Sequence, residues 1–534
     1  MNRLVAVLLA LALSVGAVFG QGRVLWQDGG VQLCGPSATE DLVATSDGAG
    51  GAIVVWSDAR QWPDGIYAQR VNGSGDPLWT DSGIAIDDSS IAGRICVVAD
   101  GENGAIVVWG PSSAGASIAV QRLDADGTPL WGANGLEIRP LVINPPLSNA
   151  PAVARDGHGG AIVAWTANVA VSGPLDTLIV CRVDSSGTKR WETVVRMDTM
   201  NDPPTLCQDG HGGGVIAWSE HYLGPVRVQC VDSAGSIRWD SAGVLACTLS
   251  AVKAVWACVA MGESSFAVGF AVGPGWHDRA QMFDLAGNRL WGPIGVPVTG
   301  TSYSSSGCVA LPTDVRRQSI WLWSENRTGT TDLFVQKLDS AGIRGWDSTG
   351  VWLGSVDTSG GQFSAAIDGR GGAIAAWTLY RSRLNWDVYA QHVDSSGRLC
   401  WSDTGLAVCL GDDNVRYPVA VTDGDGGAII VWLDDRGLYV QRVADVPGGM
   451  ESVGDERRAM DEGPTVARGM LLLAGATSHR PQAPSWLSDA VGRKVLDLKP
   501  GANDVRALAP GVYFVREAQA QAQAQAVRKI IKLK

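Results

Sequence analysis

The chain has little of the side-chain chemistry that most active sites use. Among 534 residues there are only six histidines, and no two of them have the spacing of a metal-binding pair. Ten cysteines are present, but none forms a Cys-x-x-Cys pair, which argues against a structural zinc site. Serine-hydrolase and zinc-protease motifs are also missing. The sequence therefore offers no obvious catalytic set.

The chain also lacks amphipathic runs of helical period beyond its first twenty residues, and no later segment is apolar enough to span a bilayer. Residues 1–20 combine a basic start at Arg3, a short apolar core and small residues before Gly20, which is typical of a secretory signal peptide. We therefore expect an exported protein without a transmembrane span. The 68 glycines are instead typical of a turn-rich, all-β chain.

Repetition is the main feature that the sequence does have. The phrase DGHGGAIVAW at 156–165 returns from Asp47, Asp100, Asp209, Asp368 and Asp423, and two weaker copies begin at Met261 and end near Trp323, giving eight copies at a period of about 53 residues. A second phrase runs in step, and its tryptophan recurs as Trp26, Trp79, Trp131, Trp191, Trp239, Trp291, Trp346 and Trp401. These eight and seven from the first phrase make 15 of the 22 tryptophans, so most tryptophan belongs to the scaffold.

Each repeat contains four short apolar runs separated by turn residues, which predicts a four-stranded antiparallel sheet. Such a sheet leaves an apolar face exposed unless repeats stack, and units of this kind stack radially. We therefore predict an all-β fold with an eight-bladed β-propeller over residues 21–446. The array opens on an orphan fourth-strand copy at 23–34 and ends without that strand, so the N-terminal strand is expected to complete the last blade and close the ring.

A different pattern follows the repeats. Residues 447–465 are charged and glycine-rich and are interpreted as a linker. The phrases LSDAVGRKVLDL, LAPGVYFVR and RKIIKLK then appear in order. Together they resemble the type A C-terminal sorting domain of the type IX secretion system. The resemblance implies that residues 466–534 form a small β-sandwich that the type IX machinery recognises for export across the outer membrane.

The sorting motif that carries this resemblance consists of Gly492, Arg493, Pro510, Gly511, Tyr513, Arg528 and Lys529. Two features depart from the family pattern: the usual Asn-Pro opening is missing near residue 466, and an Ala-Gln run at 518–526 is inserted into the last hairpin. The run is expected to form a loop, with an extended hairpin or a short helix as alternatives. With the signal peptide, the resemblance predicts a protein that is secreted or held at the cell surface.

Charge divides the chain near the same place. Residues 21–484 carry 32 Lys and Arg against 50 Asp and Glu, a net charge of about -18, whereas residues 485–534 carry 9 against 4, about +5. The acidic repeat region argues against nucleic acid or anionic lipid as its partner. We expect an extracellular glycan or protein as the partner instead, and a monomeric chain.

The histidines and acidic turns of the repeats are residues that can bind metal ions, but they also fit ordinary turn positions. His158 and His211 occupy a turn position that other repeats fill with unrelated residue types, so they are expected to be solvated. Acidic turns at 423–427 and 124–127 suggest calcium only weakly, because neither continues into a full ligand loop. No cofactor is predicted, with calcium as the weak alternative.

The cysteines stand at repeat positions where Val or Ala would also fit. Cys96, Cys207, Cys258 and Cys308 all precede the Asp-Gly turn of their repeats. An even count in an exported chain permits full pairing without requiring it. Cys247 and Cys258, on consecutive strands, are the pair that the sequence singles out for testing.

Charged residues recur in the loop after the first-phrase tryptophan, as in WSDAR at 56–60. The residues concerned are Asp58, Arg60, Glu220, Glu325, Arg327, Asp435 and Arg436, all expected on one face of the disc. They form either acid–arginine pairs that tie the turn to a neighbouring blade or a polar binding rim.

Three functions fit these patterns. The favoured one is a noncatalytic exported propeller that acts as a surface or secreted binding or adhesion module through loops on one face. The alternative is a secreted, glycosidase-like hydrolase with catalytic residues in the unique loops 61–65, 168–176 or 380–387, and the third is a structural surface-layer component. The turns resemble the Asp-boxes of sialidase-type propellers only loosely, and no arginine triad or nucleophilic tyrosine can be assigned, so no catalytic residue is predicted.

Overall fold

The structure is a computed structural model of the chain. It describes residues 22–445 and, further on, strands between 465 and 532. The gaps are 61–63, 89–91, 112–117, 139–149, 169–175, 199, 201–202, 221–223, 250–251, 263, 274–276, 301–304, 313–316, 328–329, 357–361, 383–384, 411–413, 468–469, 474–484, 490–492, 499–500, 505–510 and 518–526. The predicted signal peptide, the linker up to residue 464, and the motif residues Gly492 and Pro510 therefore lie outside the described residues. The chain divides into two compact units, Met1–Gly448 and Gly449–Lys534.

The described residues of the first unit form 33 strands and include no helix. The chain begins with β1 (Gly22–Val24) and β2 (Val31–Cys34). Blade 1 follows as β3 (Ala38–Ser46), β4 (Ala52–Asp58), β5 (Gly65–Val71) and β6 (Ile84–Asp87); blade 2 as β7 (Ala92–Ala99), β8 (Ala105–Pro111), β9 (Ile118–Leu123) and β10 (Leu136–Ile138); blade 3 as β11 (Ala152–Arg155), β12 (Ala161–Asn168), β13 (Asp176–Val183) and β14 (Lys189–Asp198); and blade 4 as β15 (Thr205–Gln208), β16 (Gly214–Ser219), β17 (Val226–Val231) and β18 (Val244–Leu245).

Blades 5 to 8 continue the order. Blade 5 is β19 (Val252–Ala260), β20 (Ser265–Val272), β21 (His277–Asp284) and β22 (Val296–Pro297); blade 6 is β23 (Ser305–Pro312), β24 (Ser319–Asn326), β25 (Thr331–Leu338) and β26 (Val351–Val356); blade 7 is β27 (Phe363–Ile367), β28 (Ala373–Ser382), β29 (Asn385–Val393) and β30 (Leu406–Cys409); and blade 8 adds β31 (Arg416–Thr422), β32 (Ala428–Asp434) and β33 (Gly437–Asp445). No helix in the part of the chain that the structure describes is long and apolar enough to cross a membrane.

Both ends of the repeat array share the eighth sheet. β1 pairs with β33 through Gly22 opposite Asp445 and Val24 opposite Val443, and β2 pairs with the same strand. The N-terminal segment thus supplies the outer edge that β31 to β33 lack. This confirms the eight-bladed propeller and the predicted closure by the N-terminal strand.

The cores of the propeller lie between blades. The first strand of each blade is the innermost one and contacts the first strands of its neighbours, and the contact between β3 and β31 completes the ring. Eight hydrophobic clusters fill the interfaces, and each takes residues from two adjacent blades. Second strands are therefore buried on both sides, which is why all seven residues of β4, AIVVWSD, are buried.

Each second-phrase tryptophan joins its blade to the next one. The indole N–H of Trp79 donates to the backbone carbonyl of Ala125 in blade 2, 3.1 Å away. The same bond runs from Trp26, Trp131, Trp191, Trp239, Trp291 and Trp346 to Gly73, Ser185, Ser233, Leu285, Ser340 and Ser395. Trp401 differs, because it donates to the side-chain Oδ1 of Asp445 at 2.7 Å.

The turn that receives the indole needs glycine. Gly75 has a φ of +90°, and a Cβ there would lie 2.8 Å from the ring of Trp26. Both the left-handed backbone and the close approach exclude a larger residue. The glycine of the repeat is thus a condition of blade-to-blade packing as well as of the turn.

A glutamine in the third strand fixes the tryptophan turn. Gln69 Oε1 accepts hydrogen bonds from the backbone N–H of Arg70 and of Trp79, and its Nε2 donates to Thr80 O at 2.9 Å. The same donation is made by Gln121, Gln229, Gln281, Gln336, Gln391 and Gln441. Blade 3 has Cys181 at this position, and there Trp191 is part of the ten-residue strand β14, next to an irregularity in its pairing with β13.

The second unit is described by itself. It contains β34 (Thr465–Ala467), β35 (Met470–Leu473), β36 (Ser485–Asp489), β37 (Lys494–Leu498), β38 (Gly501–Asp504), β39 (Gly511–Glu517) and β40 (Val527–Lys532). Five of them form a sheet in the order β34-β40-β39-β36-β37, and β35 pairs with β38. Of the sorting motif, Arg493 precedes β37, Gly511 and Tyr513 lie in β39, and Arg528 and Lys529 lie in β40. The Ala-Gln run falls between β39 and β40, outside the described residues, and the sandwich stays a prediction.

Candidate functional site: the loop face of the propeller

Strand order determines which connections share a face. In every blade the chain runs outward from the innermost strand, so first-to-second and third-to-fourth turns lie together. We name this the turn face. The second-to-third connections and the links between blades lie on the opposite side, named the loop face.

Acids of the Asp-Gly phrase shape the turn face. Asp47 Oδ1 accepts the backbone N–H groups of Ala49 and Gly51, and Asp47 Oδ2 accepts Arg70 Nε at 2.9 Å. Blades 2, 3 and 8 repeat the arrangement with Asp100 and Arg122, Asp156 and Arg182, and Asp423 and Arg442. These carboxylates therefore serve the turn and a structural ion pair.

The sequence-predicted turn histidines and acidic turns fall in the same setting. His158 and His211 are exposed, and each donates its backbone N–H to the turn aspartate two residues earlier. In the acidic turns, Asp423 Oδ1 accepts the N–H of Asp425 and Gly427, and Asp124 accepts two such bonds. These carboxylate oxygens are engaged by backbone donors in the structure.

An acid–arginine pair closes the loop face of blade 1. Asp58 is fully buried and accepts the indole N–H of Trp56 at 2.9 Å, and Arg60 Nη2 lies 2.5 Å from Asp58 Oδ2. Arg60 also donates to Ser82 O at 2.9 Å and stacks over Tyr67, 3.9 Å from the ring centroid. Burial would raise the pKa of Asp58, but the hydrogen bonds from Arg60 and Trp56 hold it well below the usual range.

Blade 6 repeats this arrangement. Glu325 accepts the indole N–H of Trp323 at 3.1 Å and pairs with Arg327 at 3.0 Å. Arg327 donates to Thr349 O and lies 3.6 Å from the ring centroid of Phe334. In both blades the arginine thus bonds a carbonyl in the segment that leads into the fourth strand of its own blade. In blade 1, Arg60 also donates to Cys34 Sγ at 3.5 Å, and Cys34 belongs to β2 of the neighbouring blade 8.

In blade 8 the paired acid is Asp434, one residue before the predicted Asp435. Arg436 Nη2 lies 2.5 Å from Asp434 Oδ2 and its guanidinium 4.8 Å from the ring centroid of Tyr439. Asp435 is exposed and lies 3.5 Å from Arg416 instead. The reason is strand alternation: the acid two residues after the tryptophan points inward, as at Asp58 and Glu325.

Glu220 in blade 4 has different partners. Its Oε1 lies 2.9 Å from Arg227 Nε and 3.2 Å from Arg196 Nη2. Blade 4 has no arginine two residues further on, so cations from the third strand and from blade 3 take that place. All seven predicted rim residues therefore lie on the loop face, six of them at corresponding loop positions.

Blade 7 carries an aromatic pair on the loop face. β28 and β29 pair from Ala373 opposite Val393 up to Ser382 opposite Asn385, near the tip of the hairpin. There Tyr380 and Trp386 meet edge to face with ring centroids 5.3 Å apart. Tyr380 is 43% exposed.

One cluster on the turn face could hold a metal ion. His392, Cys400 and Asp445 bring ligand atoms within 4.8 Å of one another. His392 is buried and bonds Asp368 Oδ2 at 3.1 Å and Asp445 Oδ1 at 3.0 Å. Burial alone would lower its pKa, but the hydrogen bonds to Asp368 and Asp445 raise the pKa of His392 to about 11. In the structure the imidazolium therefore takes the role that arginine has in blades 1, 2, 3 and 8.

Comparison with known proteins assigns the chain to no family. No family model and no curated protein matches the chain. A protein of unknown function from Dyadobacter fermentans aligns at 12% identity over 55% of this chain and 94% of its own, with a TM-score of 0.33. Prolyl oligopeptidase B from Galerina marginata aligns at 11% over 75% of this chain and 56% of its own, with a TM-score of 0.41.

A subtype N10 neuraminidase-like protein of A/little yellow-shouldered bat/Guatemala aligns at 11% identity over 67% of this chain and 96% of its own, with a TM-score of 0.35. Likenesses at this level carry no argument about activity. The propeller rests on the strand pairing described above.

Sequence reasoning missed three parts of these sites. Asp434 was discoverable from the two-residue spacing to Trp432. Tyr380 and Trp386 stand in the loop at 380–387, which the sequence singled out only as a place for catalytic residues. The loops 61–65 and 168–176 lie largely outside the described residues. The third missed part is His392. It stands at the repeat position that Arg70 occupies in blade 1, and this exchange of arginine for histidine could have identified it.

Proposed function

We propose that the protein is an exported, noncatalytic β-propeller whose loop face binds an extracellular glycan or protein. The observation that supports this most directly is the exposed ring of Tyr380, which meets the half-buried Trp386 edge to face on that side of the propeller. Tyrosine and tryptophan present large apolar area with little rotamer freedom, and they are enriched where binding energy concentrates.

The arginines of the same face strengthen the proposal. Blades 6, 7, 8 and 1 are consecutive in the ring, so Arg327, the aromatic pair, Arg436 and Arg60 follow one another along one arc. The side chains of Arg60 and Arg327 are 27% and 19% exposed. Each is held by its acid and by an aromatic ring, so little freedom would be lost when a partner accepts further hydrogen bonds from its guanidinium.

A binding assay with the full chain tests this function. Trp386→Ala and Tyr380→Ala should each weaken retention on a panel of immobilised polysaccharides and extracellular proteins, by about tenfold or more for whichever probe binds. Trp352→Ala is the control for Tyr380→Ala, because Trp352 is as exposed as Tyr380, at 43%, but lies in the outer strand β26. Equal losses from Trp352→Ala would contradict the loop face as the binding site.

The export part of the proposal is supported by the apolar leader at 1–20 and the sorting motif at 492–529. The test expresses the chain in a type IX-competent host with and without residues 466–534. We expect only the full-length chain in the medium or on the surface. If both forms were distributed in the same way, residues 466–534 would not act as an export signal, and the proposal of type IX export would be wrong.

The same preparations separate binding from catalysis. Release of reducing sugar or of peptide ends, followed over hours from every probe that binds, should stay at the rate of a heat-treated sample. Sustained turnover would overturn the noncatalytic proposal in favour of the propeller hydrolase.

A further inference from the structure

Two cysteines of adjacent blades lie in direct contact. Cys207 in β15 and Cys258 in β19 bring their Sγ atoms to 3.0 Å. β15 and β19 are the innermost strands of blades 4 and 5 and contact each other along the ring. Both side chains are buried, in the core that blades 4 and 5 share. The structure thus pairs Cys258 with Cys207, not with Cys247 as the sequence suggested.

The arrangement differs from the rest of the cysteine set. Cys230 and Cys247 occupy the same core, yet Cys258 directs its sulfur at Cys207 and at the carbonyl of Val215. Cys207 lies two residues before Asp209, whereas Cys258 lies three residues before Met261, which takes the place of that aspartate in blade 5. The two cysteines are therefore one register position apart on neighbouring inner strands and point to opposite sides, so their sulfurs meet in the shared core. Because the two Sγ atoms already lie 3.0 Å apart, closing them to a bond of about 2.0 Å needs only a small shift.

We propose that Cys207 and Cys258 form a disulfide that covalently joins blades 4 and 5. The inference rests on the export proposed above, because disulfides persist in oxidising compartments outside the cytoplasm. One Sγ–Sγ bond forms, and each thiol loses a proton. The two electrons pass by thiol–disulfide exchange to the disulfide of an oxidoreductase, which leaves as a dithiol.

The bond is made while the propeller folds. In the folded ring, the hydrogen bond to Cys258 and burial raise the pKa of Cys207 well above its ordinary value. Thiolate is the attacking species, so a folded, reduced ring is a poor substrate for exchange. An oxidant should therefore close the pair quickly during refolding and slowly once blades 4 and 5 have packed.

The bond would lie far from the seam of the ring, the place in blade 8 where the two ends of the repeat array pair. Blade 8 is closed by hydrogen bonds between the two ends of the array, and blades 4 and 5 lie halfway round. A cross-link over 51 residues mainly limits the freedom of the unfolded chain. It would make blades 4 and 5 the part of the ring most resistant to opening.

Peptide mapping decides the question on the wild-type full chain. The protein is refolded in an oxidising glutathione buffer, its remaining thiols are alkylated, and it is digested without reductant. We expect one cross-linked peptide pair containing Cys207 and Cys258, lighter by two hydrogens than the two thiol peptides, with Cys230 and Cys247 alkylated. Complete alkylation of both Cys207 and Cys258 would overturn the proposal.

Reductant provides a second readout. It should lower the melting temperature of the wild type and of Cys247→Ala by roughly 2–5 °C, and leave Cys207→Ala/Cys258→Ala unchanged. An equal shift in the double variant would contradict the bond. Protein taken from the host medium is mapped in the same way. If the refolded protein has the cross-link but the host keeps every chain in the cytoplasm, the export proposal fails and the disulfide proposal still holds.

Discussion

On the turn face the same contacts return from blade to blade: a tryptophan indole N–H donates to the next blade, a glycine makes room for the ring, and an aspartate organises the turn. On the loop face the blades diverge. Blades 1, 6 and 8 have an acid–arginine pair with the arginine stacked on an aromatic ring, and blade 4 replaces that arginine with cations from elsewhere. Blade 7 extends into a hairpin that carries the exposed Tyr380 against Trp386.

The difference separates two demands on one repeat. Residues that join blades must fit a neighbour built from the same phrase, so their geometry is fixed around the ring. Residues of the loop face meet no such copy and can vary with a partner. Uniform contacts mark the scaffold, and departures from uniformity mark the candidate binding surface.

The strongest test of this contrast removes one indole from each environment. Trp79→Ala should destabilise the propeller by about 3–5 kcal/mol, because it empties a buried site and breaks the bond to Ala125. Trp352→Ala, at an exposed site, should cost less than ~1 kcal/mol. Denaturant unfolding of both variants measures the gap, and similar losses would mean that the inter-blade indoles carry little of the stability.

A glycine pair sharpens the comparison within the turn face. Gly75 and Gly157 both have positive φ. A Cβ added at Gly75 would collide with an indole ring, whereas a Cβ added at Gly157 would have no other atom within 4 Å. Gly157→Ala should cost about 1 kcal/mol for backbone strain, and Gly75→Ala roughly 2–4 kcal/mol, since the ring of Trp26 must also move. If the two variants lowered the melting temperature equally, backbone strain alone would account for the loss of stability, and the contact with Trp26 would contribute nothing.

The histidine of blade 7 breaks the uniformity of the turn face and should give it a pH dependence. The folded pKa of His392 is about 11, and the unfolded value is about 6.5. Its stabilisation is therefore complete below about pH 6.5 and is lost as pH rises toward 11, by at most about 1.4 kcal/mol per pH unit. Chemical denaturation between pH 6 and 10 measures this loss.

His392→Arg is the control for that loss, because arginine keeps its charge throughout the range and occupies the corresponding site beside Asp47, Asp100, Asp156 and Asp423. The variant should lose less stability than the wild type on going to alkaline pH. Parallel pH profiles of the two proteins would refute a charged His392.

The smallest effect is expected on the loop face. Arg327→Ala should change the free energy of unfolding by only about 1 kcal/mol, because the guanidinium is partly exposed even though Glu325 is buried. Glu325→Ala should cost more, since it leaves the indole N–H of Trp323 without its acceptor. A reversed order in urea unfolding would show that the arginine, and not the acid, holds the loop.

Periodicity was sufficient to predict what the blades have in common. The eight copies, the glycine turns and the orphan strand at 23–34 together implied the ring and its closure. The sequence did not show which of two adjacent acids, Asp434 or Asp435, pairs with Arg436, because the alternation of the strand decides which acid points inward. Contacts between repeats were hidden for another reason: Cys207 and Cys258 are far apart in the chain and meet only when equivalent strands are placed side by side.

The position of the seam also sets an order of events. Trp26 bonds Gln441 across 415 residues, so the first strands to leave a ribosome or a translocation channel wait for nearly the entire array before they find their partner. Contacts this distant are slow to form, and unpaired strand edges invite pairing with other chains in the meantime. Sealing the ring is therefore expected to be the late and vulnerable step in the life of a newly made molecule, and a chaperone that shields residues 22–34 would act where the risk is greatest.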